Sequence, residues 1–351
     1  MALGYLFGGG VGTEPHGLEL YRAYPVMRDL YAQIARWTGL TPGQLLDEEL
    51  PKGREERQSA GTVRETALAV AVHDILAGHG LRPAVLGGLS LGAMTAGSLA
   101  GAVDRRALFE MLAHTRLAPE QADGDPEQGM ALAFVPAGAD TALYGEGRPG
   151  VHRAGDFGPT ADGAARILML SGERAALDEL VAEVPPGTLV PLPDRTIAVH
   201  SPLRAPFRAF LAPYLEAMEF TDPRLPLVSC LDRRTLTTGA GVRDLFDRNA
   251  TDPISLVDVY TGMKEEGVRL GLVIGGSIPD GILRFPFPVV HVDRPEHVEQ
   301  VLTSVYELGI DVPEAEVPGA DVPETGVPEA DAPGARPGTG TAAAPDPRAG
   351  R

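Results

Sequence analysis

The chain has 351 residues, 44% of them hydrophobic, which suffices for one large domain or for one domain carrying a smaller insert. Its 48 acidic and 30 basic residues give a net charge of -18, which disfavours nucleic-acid binding through a general basic field, and no apolar run predicts a membrane span. With one cysteine, Cys230, and no HExxH motif among eight histidines, we expect no disulfide framework, no metal centre and a cytoplasmic location.

The first elements alternate between short apolar runs and amphipathic segments, as in an α/β domain. The N-terminal segment MALGYLFGGG lacks the basic region and the apolar stretch of a signal peptide, so GYLF, at residues 4–7, predicts a first strand, and a glycine loop follows it. Residues 18–39 and 62–79 carry apolar side chains at helical spacing and predict helices. AVLGG, at 84–88, predicts a buried strand that leads directly to Ser90 and a helix of small residues.

The pattern of predicted strands and helices changes between residues 122 and 193. GMALAFVP and ARILMLSG predict strands there, and ERAALDELVAEV predicts a helix, so this segment has the pattern of a small inserted lobe. Farther on, RLPLVSC, GLVIG and VVHV predict strands, and LVDVYTGMKEEG predicts a helix. From Asp311 onward, a loose five-residue repeat with regular proline and an acidic excess predicts a disordered, extended tail.

Ser90 lies in a GxSxG pattern, GLSLG at residues 88–92. A nucleophile elbow forces its serine into strained backbone angles, and side chains on the flanking residues would collide with the neighbouring strand and helix. The serine is then exposed at a helix start, where backbone N–H groups favour a developing oxyanion. The pattern alone is weak, but its position between a strand and a helix favours a nucleophile over an incidental turn serine.

A nucleophilic serine needs a base, and His200 is the best candidate. It lies in TIAVHSPLRAPF, where a short β-like run gives way to a proline turn. His291 has the setting of a strand residue and His73 that of a helix residue, while the other histidines lie in polar or loop settings. Because a lone histidine is usually structural or solvated, spacing alone does not assign His200.

Four motifs, taken together in their order and spacing, give the chain a family resemblance. They are FGGGV at 7–11, GLSLG at 88–92, HSP at 200–202, and DP at 252–253 followed by VIGG at 273–276. From residue 6 to about 292 the chain resembles the malonyl-CoA:acyl-carrier-protein transacylase family, which includes the acyltransferase domains of polyketide synthases. The corresponding family motifs are FPGQG, GHSxG, HSP and an NP step before a glycine-rich strand end.

The resemblance implies an α/β fold in two parts, with the active site between them. Residues 1–121 and 194–308 would form a hydrolase-like large subdomain with a parallel sheet. Residues 122–193 would form a small inserted ferredoxin-like subdomain, and residues 309–351 the disordered tail.

The resemblance also implies a ping-pong mechanism without a cofactor, in which a CoA or phosphopantetheine thioester is the substrate. Ser90 would be the nucleophile and His200 the base, with the backbone N–H groups of Gly10 and Leu91 as the oxyanion hole. The partners would be acyl-CoA and an acyl carrier protein, in polyketide or fatty-acid biosynthesis.

In this family a backbone carbonyl near the NP step orients the histidine. Here that carbonyl would lie between Asp252 and Ser255. A carboxylate as a true third triad member, from Asp194 or Asp252, is a weaker alternative, and Asp252 is equally well explained as a turn residue before proline.

Departures from the family pattern bear on the substrate. Leu89 replaces the histidine before the serine, Ala93 replaces a glutamate, and Gly10 replaces the glutamine of FPGQG. The family's arginine that pairs with a malonyl carboxylate aligns with Thr115 of this chain. Arg116 lies one residue farther along, and a shift of one residue in a helix rotates the direction of the side chain by about 100°. Arg116 is equally well explained as a solvated helix-end residue.

The segment 197–200, which ends at the histidine and sets specificity in the family, is apolar here and includes Val199. We therefore expect a monocarboxylic acyl group, such as an acetyl or propionyl starter unit, rather than malonyl. Two other functions remain open. One is an acyl-carrier-protein thioesterase that uses the same dyad and releases the acyl group to water; the other is a catalytically silent scaffold.

Overall fold

The structure, a computed structural model, describes residues 2–10, 17–46, 49, 54–119, 124–145, 147–276 and 278–310. Within them, strands and α-helices are numbered in chain order. The strands are β1 (Ala2–Phe7), β2 (Val85–Gly88), β3 (Gln128–Pro136), β4 (Val151–Pro159), β5 (Ala165–Glu173), β6 (Leu189–Pro191), β7 (Leu227–Val228), β8 (Thr235–Leu236), β9 (Ile254–Ser255), β10 (Val268–Ile274) and β11 (Val289–Val292). The helices are α1 (Leu18–Ala23), α2 (Pro25–Thr38), α3 (Pro42–Leu45), α4 (Arg54–Gly78), α5 (Leu91–Leu99), α6 (Arg105–His114), α7 (Arg174–Glu183), α8 (Ala205–Ala217), α9 (Gly239–Arg248), α10 (Leu256–Glu265) and α11 (Pro295–Glu307).

The larger sheet has the strand order β11-β10-β1-β2-β7-β8, and all neighbours are parallel except β7 and β8. Its central strands are continuous apolar runs because both faces of a parallel sheet are covered by helices. Phe7 pairs with Gly88 on one side and with Ile274 on the other. The carboxyl ends of β1, β2 and β10 therefore meet at one edge, and the predicted α/β class is confirmed.

Glycines on this sheet let α10 approach closely. A Cβ at Gly87 would lie 2.5 Å from Val259, and one at Gly4 would lie 2.6 Å from Met263; both contacted side chains belong to α10. Between the strands and this helix, the side chains of Val259 and Met263 are completely buried. Burial of such apolar side chains contributes about 2 kcal/mol each, so this packing fixes the strands that precede the site.

The smaller sheet has the order β6-β3-β5-β4-β9. The pairs β6–β3, β3–β5 and β5–β4 are antiparallel, and α7 packs against them over a separate apolar cluster that includes Leu168, Leu177 and Leu180. One strand, β9, comes from outside segment 122–193 and pairs in parallel with β4. The division into subdomains and the ferredoxin-like description of the small one stay predictions.

The helix expected over residues 18–39 is two helices in the structure. α1 ends at Ala23 and α2 begins at Pro25, because proline has no N–H to continue the helix and its ring clashes with the carbonyl four residues earlier. The predicted end of the second helix is confirmed: Gly39 has φ 77°, and its N–H donates to the Ala35 carbonyl. A left-handed glycine is the usual stop of a helix.

Two further expectations concern the ends of the chain and membranes. The predicted tail, 309–351, lies outside the described residues except for 309 and 310. In the part of the chain that the structure describes, no helix combines the length and apolarity needed to cross a bilayer.

Candidate active site

Ser90 stands between the end of β2 and the start of α5. Its backbone angles are φ 52° and ψ -117°, a combination rarely adopted by residues other than glycine. Such a conformation costs on the order of 1–3 kcal/mol and persists only where the surroundings enforce it. The strand, the serine and the helix have the geometry of a nucleophile elbow.

The glycines around Ser90 make this elbow sterically possible. A Cβ at Gly88 would lie 2.3 Å from the backbone of Gly92, and a Cβ at Gly92 would lie 2.3 Å from the carbonyl oxygens of Phe7 and Gly8. These are contacts with backbone atoms, which cannot rotate away. The glycine pattern therefore brings the loop after β1 directly against the serine.

His200 reaches Ser90 from 110 residues farther along the chain. Its Nε2 lies 2.9 Å from the serine Oγ. The side chain is 4% exposed, and His200 also has a positive φ, 54°. A neutral imidazole that carries its proton on Nδ1 can accept a serine proton at Nε2, so this contact has the geometry that the predicted pairing of nucleophile and base requires.

The environment of His200 keeps its imidazole neutral. Burial lowers the pKa from 6.5 to about 4, and the positive charge of Arg204 also lowers it. The backbone groups of Asn249 and Asp252 raise the pKa against these two effects. Within the described residues, Nδ1 is buried and has no hydrogen-bond partner. Near neutral pH His200 is consequently available as a base.

Acid is expected to destabilise the protein through His200. Between pH 4 and 6.5 an unfolded chain takes up a proton there and the folded chain does not. The stabilisation is therefore present above pH 6.5 and is lost as the pH falls toward 4, an effect on the order of 3 kcal/mol. Denaturant unfolding at pH 7.5 and 4.5 should show a smaller loss of stability in His200→Gln than in the wild type. Equal losses in the two proteins would contradict this assignment.

Two residues predicted for the oxyanion hole, Leu91 and Gly10, lie in the elbow and in the loop after β1. The Leu91 N–H opens α5, and N–H groups of a first helical turn have no acceptor within the helix. Gly10 is exposed with φ 75°, at the end of the described loop after β1. Leu91 directly follows Ser90, and a Cβ at Gly9, the residue before Gly10, would lie 2.9 Å from the Cβ of Ser90. The assignment of the two N–H groups to an oxyanion hole stays a prediction.

The three residues predicted to contact the substrate differ in setting. Leu89 is 2% exposed, and Val199 is partly buried directly before His200. Arg116 is exposed, in the 3-10 turn Thr115–Leu117 that follows α6. Leu89 and Val199 thus directly precede Ser90 and His200 in the chain, whereas the side chain of Arg116 faces solvent, and the role of all three in substrate binding stays a prediction.

The carboxylates proposed as third triad members do not reach His200. Asp252 Oδ2 accepts a hydrogen bond from Arg248 Nε at 2.8 Å, and Oδ1 accepts one from Thr251 Oγ1 at 2.9 Å. Asp194 is exposed. Asp252 acts on the histidine through its backbone and, to a smaller extent, through its negative charge, and both raise the pKa of His200.

Ser255, the other residue predicted to orient the histidine, has a different set of contacts. Its N–H donates to the Cys230 carbonyl at 2.7 Å, and its Oγ accepts from the Asp258 N–H as the cap of α10. Cys230 itself is completely buried, and burial raises its pKa to about 12. This thiol is therefore protonated and does not compete with Ser90 as a nucleophile.

Three polar residues beside the dyad were not predicted from the sequence. Arg204 is half-buried four residues after His200, its guanidinium lies 4.1 Å from the centre of the Phe207 ring, and burial lowers its pKa to about 10. The other two, Gln128 and Ser171, hydrogen-bond to the segment before His200. Of the three, only Arg204 could have been predicted from the sequence, because it lies in the same motif as His200.

A metal site was not expected, and the described residues offer little to build one. Among them, no three side chains of His, Cys, Asp or Glu come together closely enough to hold a metal ion. The polar groups around Ser90 are instead suited to proton transfer and to the binding of a carbonyl oxygen.

Sequence comparisons reveal distant relatives. No family model matches the chain. A malonyl CoA-acyl carrier protein transacylase of Escherichia coli O157:H7 is 23% identical over 286 residues, which cover 78% of this chain and 90% of that protein. The polyketide synthase GfsB of Streptomyces halstedii is 26% identical over 331 residues, or 89% of this chain, so that the chain spans only 6% of that synthase.

A solved structure shows the same fold. A malonyl-transacylase in complex with the acyl-carrier protein of a type II polyketide synthase superposes on the chain with a TM-score of 0.74 at 19% identity, covering 87% of this chain and 100% of that one. The resemblance drawn from the motifs is thereby confirmed at the level of fold. The chain is a divergent sequence on the architecture of malonyl-CoA:acyl-carrier-protein transacylases.

Proposed function

We propose that this protein is an acyltransferase that moves an acyl group between CoA or acyl-carrier-protein thioesters through an acyl-serine intermediate, in polyketide or fatty-acid biosynthesis. The observation that carries the proposal is the 2.9 Å contact between Ser90 Oγ and His200 Nε2 at a strained elbow. Acyl transfer through an acyl-serine requires a nucleophilic serine next to a neutral imidazole that can accept its proton.

In this mechanism His200 Nε2 takes the proton of Ser90 as Oγ attacks the thioester carbonyl. The negative charge on the tetrahedral intermediate faces the N–H groups of Leu91 and Gly10. The carbon–sulfur bond then breaks, and the departing thiolate takes the proton from His200. A second thiol repeats these steps in reverse and removes the acyl group from Ser90, so the cycle needs no cofactor.

An acyl carrier protein is the partner that we propose. The superposed malonyl-transacylase was solved with an acyl-carrier protein, and the Escherichia coli relative is named for transfer to one. A carrier presents its thioester on a phosphopantetheine arm, which requires an opening at the serine. The exposed position of Gly10 beside the elbow supports such an opening.

We further propose that the acyl group is uncharged, such as an acetyl or propionyl starter unit. The supporting observation is that Arg116 faces solvent and so does not offer a bidentate partner to a carboxylate near Ser90. Propionyl-CoA is expected to acylate the protein at least about tenfold faster than malonyl-CoA, because an unpaired buried carboxylate is costly. Rapid-quench mass spectrometry measures both rates. Malonyl loading at an equal or higher rate would contradict the proposal, and Arg204 would then be the candidate partner of the malonyl carboxylate.

The alternative function is an acyl-carrier-protein thioesterase, in which water discharges the acyl-serine. The supporting observation is that Gly10, which replaces the glutamine of the family motif, is exposed, so no side chain at this position shields an acyl-serine from water.

One incubation distinguishes the two functions. The purified protein is mixed with an acyl-carrier thioester and a second, unloaded carrier of distinguishable mass, and all species are followed by intact mass spectrometry. Acyl groups on the second carrier support the transferase. Free acid that disappears in Ser90→Ala supports the thioesterase, and turnover that persists in Ser90→Ala would contradict both.

A further inference from the structure

His200 is held in a conformation that its own backbone disfavours. Its φ of 54° lies in the left-handed region, which non-glycine residues avoid at a cost on the order of 1 kcal/mol or more. The imidazole contacts Ser90 from this backbone position, and no helix or strand contains the residue. Something outside the segment must therefore fix it.

Two side chains of the smaller sheet contact the two residues that precede His200. Ser171, on β5, donates from Oγ to the Val199 carbonyl at 2.8 Å, and its side chain is completely buried. Gln128, on β3, accepts from the Ala198 N–H through Oε1 at 2.9 Å. Both bonds are long-range, across 28 and 70 residues, and β3 and β5 are paired neighbours.

The other side of His200 is tied to the loop after α9. The His200 N–H donates to the Ala250 carbonyl at 3.1 Å. The segment is thus held on one side by the smaller sheet and on the other by the loop that faces the imidazole. The peptide between Val199 and His200 shares both attachments, because the Val199 carbonyl binds Ser171 and the His200 N–H binds Ala250.

We infer that Ser171 and Gln128 are positioning residues, which hold His200 in its left-handed conformation so that Nε2 meets Ser90 Oγ. The inference rests on the proposed acyl-serine mechanism and adds that the smaller sheet is needed for it. Neither side chain touches the reacting atoms. Without either bond the segment is expected to relax toward ordinary φ values, and a displacement of about 1 Å at the base costs on the order of 100-fold in rate.

The test uses a fluorophosphonate probe, which needs no knowledge of the acyl group. Ser90 Oγ attacks the phosphorus, fluoride leaves, and His200 accepts the serine proton. Intact mass spectrometry of the full chain gives the maximal labelling rate and the probe concentration at half that rate, and peptide mapping locates the label. Ser171→Ala and Gln128→Leu are compared with the wild type, with thermal unfolding measured for each.

Two variants separate positioning from a general loss of stability. Thr38→Val removes a buried hydroxyl in α2 that also donates to a backbone carbonyl at 2.8 Å, that of Ile34, far along the chain from the dyad. Gln128→Glu keeps an oxygen that accepts the Ala198 N–H. Both are expected to label within about twofold of the wild-type rate.

Ser171→Ala and Gln128→Leu are expected to label at least about tenfold more slowly at saturating probe, with an unchanged half-saturating concentration. Labelling within threefold of the wild type in either variant, or a fall no larger than in Thr38→Val, overturns the inference. An equal loss in Gln128→Glu and Gln128→Leu overturns it for Gln128. Absence of label on Ser90 in the wild type instead contradicts the proposed function, and the inference with it.

Discussion

Replacing Ser90 by alanine is expected to lower acyl transfer by at least about 10⁴-fold and to remove the covalent acyl-enzyme. The reason is that the mechanism forms its only covalent bond at Ser90 Oγ, and nucleophile knockouts in serine enzymes lose rate on this scale. Cys230 offers no substitute, since its buried thiol stays protonated. The rate of acyl appearance on a second carrier measures the effect.

A matched control lies on the helix that begins directly after Ser90. Ser98 is a buried residue of α5 whose hydroxyl has no hydrogen-bond partner within the described chain. Ser98→Ala is therefore expected to keep wild-type activity and to be neutral or slightly stabilising. More than about 1% residual transfer in Ser90→Ala, with Ser98→Ala unchanged, would mean that another group carries the acyl chain.

A methyl group at Gly92 is expected to destabilise the protein by about 3 kcal/mol or more and to disable the elbow. The added Cβ would lie 2.3 Å from two carbonyl oxygens, those of Phe7 and Gly8, and these belong to a central strand and its loop. Relief requires α5 to move away from β1, which also moves Ser90. Gly92→Ala should unfold at a temperature at least about 5 °C lower than the wild type.

Gly78→Ala is the control for this steric argument. Gly78 is the last residue of α4, and a Cβ there meets no atom within 4 Å. Alanine is the better helix former, so this variant is expected to be neutral or more stable by up to about 1 kcal/mol. Equal melting temperatures for Gly92→Ala and the wild type would show that the close approach of α5 and β1 is not tight.

The elbow and the central sheet could be predicted because their signals are local. A strand buried on both faces appears as a continuous apolar run, which is how β1, β2 and β10 were found. The elbow needs small residues at fixed spacing, and Gly88 and Gly92 supply them. His200 was a candidate from its local setting, but only the family motif assigned it as the base, since nothing in its local sequence specifies a distance to Ser90.

The parts that escaped prediction depend on contacts between distant segments. β4 has the sequence VHRAGDFGP, whose glycines and polar residues mask a strand that exists because β5 pairs with it. The contacts of Gln128 and Ser171 with the segment before His200 arise only when separate elements meet. A hydrogen bond across 70 residues leaves no periodic trace in a single sequence.

If Ser90 carries the acyl group during turnover, the acyl-enzyme can be trapped, and this is the decisive experiment. The protein is mixed with propionyl-CoA, quenched within milliseconds to seconds, and digested for peptide mapping by mass spectrometry. We expect one propionyl group on the peptide containing Ser90, and this group should disappear on addition of a carrier thiol. Turnover of the thioester with no acyl group on Ser90 at any time, or an acyl group on another residue, would contradict it.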